Sequence, residues 1–288
     1  MAKAEIGNNT FDHCAVGCAC YTTGSVRRTT VRDFVNNGGT GVQREPDLCD
    51  PAAGLLGSTP LWPCLGNHEY NGHATGSSYR KLFSLPLIPG QPKDYPQEYW
   101  YSFDYANCHF IVLDTGTNAL ASEIGPDTDQ YEWLLDDISS DKADDADWVI
   151  VLLHIPPYTD SSAHPYWSED PNKQDVYRVR TYLAPVFEDP DHPADLVISG
   201  HNHFYEPSQA GQGEEPEHWI HYIVTGGGGA PLHAPGGNNP ERVLADQSRH
   251  FCVIDIDGTT ATLNVIREDG TKAEEDVVLV VGEEWQEP

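Results

Sequence analysis

Two short apolar runs flanking an amphipathic stretch limit the folds open to this chain. Trp148–Leu153 is apolar throughout, and Leu196-Val197-Ile198 forms a second such run within Asp195–Ser199. Neither alternates as a strand with one wet face would, so both suit strands buried on two faces. Between them, Val176, Val179, Leu183, Val186 and Phe187 gather on one side of a helix predicted over Asp175–Phe187. Strand, helix, strand is a βαβ unit, which predicts a right-handed parallel crossover and an α/β fold class. In open parallel sheets, sites form beyond the carboxyl ends of the strands.

Those ends carry donors. His154 follows the first run, and Gly200-His201-Asn202-His203 follows the second, with Gly200 predicted to make the sharp turn. A third run, Leu61–Leu65, is broken by Pro63 and delivers Gly66-Asn67-His68-Glu69. If all three strands share one sheet, Asn67, His154, His201 and His203 converge. Imidazole and amide donors without thiolate suit borderline ions such as zinc, manganese or iron.

The remaining pattern is consistent with one domain over residues 50–288. Tyr99–Tyr105 and Cys108–Asp114, joined by Ala106-Asn107, predict an antiparallel hairpin. Asp127 reads as an N-cap, with Gln130 three residues on and Tyr131, Leu134, Leu135 and Ile138 at helical spacing. Trp219–Val224, Phe251–Ile256, Thr260–Ile266 and Val277–Val281 read as strands, with Asp257-Gly258 and Asp269-Gly270 as turns. Gly226–Gly229 lacks the Lys-Ser/Thr of a phosphate-binding loop and reads as a tight turn near the site. Pro51–Leu56 reads as a short helix, and 71–98 as a surface loop around a helical turn at Tyr79–Phe83. Residues 1–49 form an atypical leader without sustained periodicity, in which Val31–Val35 is the one helical turn suggested.

Charge excludes one class of partner. The 288 residues carry 16 basic against 45 acidic side chains, a net charge of −29. Such a surface repels polyanions, so no nucleic acid is expected as a partner. No apolar run approaches the roughly 18 residues of a membrane span, and no secretory leader is visible, so no membrane partner is expected either. Of seven cysteines, Cys64 and Cys108 fall in apolar runs and read as buried. Cys14, Cys18 and Cys20 lack the second pair that a structural zinc site needs.

Three segments resemble signature blocks of the calcineurin-like metallophosphoesterases: Gly66-Asn67-His68-Glu69, Val151–Tyr158 with its central His154, and Gly200–Tyr205. Tyr101–Tyr105, His109–Asp114 and Gly226–His233 further resemble the purple acid phosphatase branch. The resemblance implies a layered α/β sandwich of mixed β-sheets flanked by helices. It implies that Asn67, His154 and His201 bind one metal of a dinuclear pair and His203 the other. His68 and His164 would contact substrate and serve as the catalytic acid candidates, with Tyr158 lining the pocket. The implied activity is hydrolysis of small phosphate monoesters by a metal-held hydroxide, with iron, zinc or manganese as cofactor. Alternatives are a phosphodiesterase or nucleotidase on the same scaffold, or a metal-binding remnant with impaired catalysis. A secreted or periplasmic full-length parent is implied as well, and the oligomeric state is left open.

The departure from the family pattern lies upstream. The family's first two blocks, Asp-x-His and Gly-Asp-x-x-Tyr, supply an Asp and a Tyr to one metal and an Asp that bridges both. Neither block occurs here, and residues 1–48 read as a foreign or frame-shifted leader in their place. The expectation is a fold incomplete at its N-terminus, at most one tightly held metal, and a sheet with exposed apolar edges. His73, His109, His192, His218, His221, His233 and His250 have no motif support and read as surface or core residues.

Overall fold

The computed structural model describes residues 16–23, 26–33, 60–70, 79, 83–88, 98–116, 124–213, 216–274 and 276–285. Its strands are β1 (Val16–Thr23), β2 (Val26–Asp33), β3 (Leu61–Pro63), β4 (Tyr101–Tyr105), β5 (Cys108–Val112) and β6 (Trp148–Leu152). They continue with β7 (Leu196–Ser199), β8 (Tyr205–Ala210), β9 (Ile220–Thr225), β10 (His250–Asp257), β11 (Thr260–Arg267) and β12 (Val277–Val280). The helices are α1 (Asp129–Ile138), α2 (Asp141–Asp144), α3 (Asp175–Tyr182) and α4 (Ala184–Phe187).

The strands form two six-stranded sheets, ordered β12-β11-β10-β2-β1-β3 and β4-β5-β6-β7-β9-β8. In the second sheet β5, β6, β7 and β9 are parallel, while β4 and β8 pair antiparallel at the edges. The β6–β7 crossover runs through α3 and α4, as the βαβ pattern predicts.

Period-2 alternation builds the layers. Phe110, Val112, Ile150, Leu152, Leu196, Ile198 and Ile223 share one core with Cys252, Ile254, Ile256, Leu263, Val265 and Leu279 of the first sheet. The intervening Ile111, Val149, Val151, Val197 and Tyr222 pack in a second core with Leu134, Ile138, Val176, Val179, Leu183 and Phe187 of the helices. The central strands are thus apolar on both faces because one face meets a sheet and the other meets helices. The result is a layered α/β arrangement of mixed sheets flanked by helices.

Four local expectations are corrected. Val31–Asp33 lies in strand β2, not in a helical turn; a segment carrying Val26, Thr29, Thr30 and Val31 has the β-branched content that favours strands. The hairpin of β1 and β2 fills the space between β10 and β3, where an open sheet edge was expected. The α1 N-cap is Thr128, whose hydroxyl accepts from Tyr131 N–H, while Asp127 has φ 67°. Gln130 is instead drawn to β5, exchanging hydrogen bonds of 2.8 and 3.0 Å with the Asp114 backbone. The predicted helix over Asp175–Phe187 divides at Leu183, because Pro185 lacks the N–H that would continue the ladder.

Other elements fall where predicted. The β4–β5 hairpin forms, and Phe83 N–H donates to Tyr79 O at 3.2 Å, while residues 80–82 of the expected turn lie outside the described residues. Cys64 and Cys108, with Cys252, are buried. Pro51–Leu56, His13, Cys14, Cys49 and His73 lie outside the described residues.

Candidate metal centre

The site gathers at the carboxyl ends of β6 and β7 and beside the end of β3. β3 belongs to the first sheet, so the three runs do not share one sheet as expected. Pro63 cannot donate to a ladder, and β3 accordingly lies at an edge, paired with β1. Asn67 opens a 3-10 turn, Asn67–Tyr70, braced by Gly66 N–H donating to Glu69 Oε2 at 2.9 Å. Gly116 packs so closely here that a Cβ would meet the Gly66 carbonyl carbon at 2.4 Å.

After β7, Gly200 N–H donates to His154 O at 3.0 Å, tying the two strand ends together. The left-handed residue of this turn is His201, at φ 67°, not Gly200. For a non-glycine residue that conformation costs about 1–3 kcal/mol and persists where surrounding structure imposes it. Gly226 admits the next segment: a Cβ there would lie 2.1 Å from Asn202 O. The Gly226–Gly229 turn therefore abuts the histidine loop.

Three of the four expected ligands meet at one point. Asn67 Oδ1 lies 2.8 Å from His154 Nε2, and His201 Nδ1 lies 3.1 Å from the same nitrogen. On its other side, His201 Nε2 is 2.7 Å from Asp175 Oδ2, which is also 2.8 Å from His164 Nδ1. His164, Asp175 and His201 make a second donor group, with ligand atoms within 4.8 Å of one another. His164 and His201 overlap, ring centroids 3.6 Å apart.

His203 is held from its Nδ1 side. Its Nδ1 lies 2.8 Å from Pro231 O, and its ring packs on His233 with centroids 3.7 Å apart. Asn202 is buried between these rings and the 159–164 loop. It donates to Thr159 Oγ1 at 2.8 Å and accepts from Ser161 Oγ at 2.6 Å. Tyr158 is also buried; its hydroxyl donates to Glu188 Oε1 at 2.7 Å, and its ring meets Tyr222 edge-on. Asp114 accepts from Tyr70 hydroxyl and from Gly116 N–H, which caps the turn after β5.

Burial and mutual proximity keep the imidazoles neutral. Burial pushes His154 well below its ordinary pKa, and the neighbouring His201, His68, His164 and His203 push it further. Burial and His164 bring His201 down to about 4, even with Asp175 opposing. His233 also falls to about 4 through burial and His164, and His68 is lowered by the same two causes. Burial alone would raise the Asp175 carboxyl, but hydrogen bonds from His164 and His201 outweigh it and hold it far below the usual range.

Neutral imidazoles and a carboxamide oxygen are the ligand forms that a divalent cation takes. The convergence of Asn67 Oδ1, His154 Nε2 and His201 Nδ1 therefore fits one such ion, as does the His164, Asp175, His201 group.

Two residues at the site had no sequence signal. Asp175 reads as an ordinary acidic residue of a helix first turn. His233 lies outside any ligand spacing, although it follows the Gly226–Gly229 run whose turn brings it to His203.

The profile of the calcineurin-like phosphoesterases matches residues 33–205, a stretch containing Asn67, His154, His201 and His203. Purple acid phosphatase 22 of Arabidopsis thaliana is 30% identical over 157 residues, covering 53% of this chain and 32% of that protein. A purple acid phosphatase of Glycine max is 30% identical over 122 residues, covering 42% and 23%. The chain thus spans a third or less of the length of these relatives. A purple acid phosphatase from yellow lupin (Lupinus luteus) seeds shares the fold, with a TM-score of 0.53 at 21% identity over 70% of this chain and 35% of that one. On the match across its central 33–205 segment, the chain belongs to the calcineurin-like phosphoesterase family.

Proposed function

We propose that this protein hydrolyses small phosphate monoesters at a single metal ion held by Asn67, His154 and His201. The observation that carries this reading is the approach of Asn67 Oδ1 and His201 Nδ1 to His154 Nε2, at 2.8 and 3.1 Å. Zinc, manganese and iron all suit that donor set. A bound cation would supply Lewis acidity toward a phosphoryl oxygen and lower the pKa of a water held beside it.

The chain's own groups do the rest. Asn67, His154 and His201 offer lone pairs from three loops, two of them tied by Gly200 N–H donating to His154 O, so little reorganisation of those two is needed on binding. His68 and His164 are both half-buried beside the cluster, and either, once doubly protonated, would be the donor of a proton to the leaving oxygen. The buried Asn202, fixed by Thr159 and Ser161, keeps the histidine loop in place. A surface of net charge −29 repels an anionic ester, so a cation in the cleft is also what would make the site attractive to phosphate.

A second reading is a metal-binding remnant without turnover. It is favoured by the sequence, in which the Asp-x-His and Gly-Asp-x-x-Tyr blocks that supply the family's carboxylate ligands do not occur.

Turnover of an aryl phosphate and an aryl phosphodiester should be measured for the zinc-, manganese- and iron-loaded protein, after chelation, and for His154→Ala. The expected result is monoester hydrolysis that exceeds diester hydrolysis, is lost on chelation, and falls about 100-fold or more in the variant. Turnover indifferent to chelation and to His154→Ala would refute the proposal; zinc binding without turnover would select the remnant.

A further inference from the structure

We infer that Asp175 is a positioning residue that sets the ring protons of His201 and His164 for the site. The inference rests on the metal reading above only for its consequence, not for its geometry. One oxygen, Asp175 Oδ2, lies 2.7 Å from His201 Nε2 and 2.8 Å from His164 Nδ1. An ionised carboxylate can only accept hydrogen bonds, so both ring nitrogens must carry their protons toward it. Neutral His201 then keeps its lone pair on Nδ1, the nitrogen that faces His154 Nε2. In its neutral form His164 then keeps its lone pair on Nε2, which must take up a proton before that ring can act as an acid.

The carboxylate is itself well aimed. Asp175 is the first residue of α3, and its other oxygen accepts Val176 N–H at 3.0 Å. The helix therefore fixes Oδ2 between the two rings. Asp175 thereby couples a ligand histidine to a substrate-facing one, although it lies on neither strand-end loop. Its alternative role, as a metal ligand with His164 and His201 Nε2, requires the proton on Nε2 to be absent. The two roles exclude each other.

Long-range proton–nitrogen spectra of the histidine rings in the metal-free protein read the tautomers directly. The expected result is His201 as the Nε2–H form and His164 as the Nδ1–H form, with both preferences lost in Asp175→Asn. Zinc titration should then show about 10- to 100-fold weaker binding in Asp175→Asn, part recovery in Asp175→Glu, and an unchanged melting temperature in both. His154→Ala should abolish zinc binding, and His164→Ala should leave it intact.

An Nδ1–H form of His201, or wild-type zinc affinity in Asp175→Asn, overturns the inference. So does zinc binding that survives His154→Ala but not His164→Ala, since Asp175 would then be a ligand. If the tautomers are as stated and the wild type binds no zinc, manganese or iron, the metallohydrolase reading fails and the positioning of the two rings stands.

Discussion

His109 is fully buried, with Nδ1 2.7 Å from Asp104 Oδ1 and Nε2 3.0 Å from Asp137 Oδ2. Burial alone would lower its pKa; the hydrogen bonds and charges of Asp137 and Asp104 outweigh it and raise the pKa above the ordinary 6.5. The stabilisation is therefore fully present below the unfolded value and lost as pH rises through the folded one. Melting temperature should fall as pH rises above about 6.5 more steeply in the wild type than in His109→Gln; parallel slopes would contradict the assignment. Gly226 is the second sensitive residue, since a Cβ would strike backbone Asn202 O at 2.1 Å. Gly226→Ala should cost about 1–3 kcal/mol in thermal or denaturant unfolding and reduce turnover by displacing the His201–His203 loop. Residue types and spacing singled out Asn67, His154, His201 and His203 as candidates. Ring direction was not legible, because it depends on backbone dihedrals such as the φ of 67° at His201 and on tertiary partners such as Asp175 and Pro231.

At the level of elements, α1 separates burial from mere hydrophobicity. Leu134 is fully buried against the second sheet, whereas Leu135 is 39% exposed. Leu134→Ala should destabilise by about 2–5 kcal/mol, and Leu135→Ala by no more than about 0.5 kcal/mol; comparable losses would mean that α1 packs by another face. Most strands around the two cores were readable because apolar runs and turn dipeptides bracket them; the polar β8, with Glu206, Pro207, Ser208 and Gln209, was not. The boundaries missed were those set by one residue's covalent constraint or by distant partners. Pro185 splits the crossover helix, and Gln130 serves the Asp114 backbone instead of a capping box. β1 and β2 lack a readable period, and their strand character comes from pairing with β3 and β10, contacts remote in sequence.

For the whole molecule, the net charge of −29 is a general destabilising field. Raising sodium chloride from about 0.05 to 1 M shortens the screening length well below about 10 Å and should raise the melting temperature; a falling temperature would show that attractive ion pairs dominate. At this scale the sequence made the fold class legible through one βαβ unit, but not that Asn67 arrives from the opposite sheet. The centre is thus built between two sheets. The most direct test is the number of zinc, manganese or iron ions retained per chain at equilibrium, by elemental analysis after dialysis. One ion per chain, lost in His154→Ala, is the predicted result; two tightly held ions, or one unaffected by His154→Ala, would contradict the account.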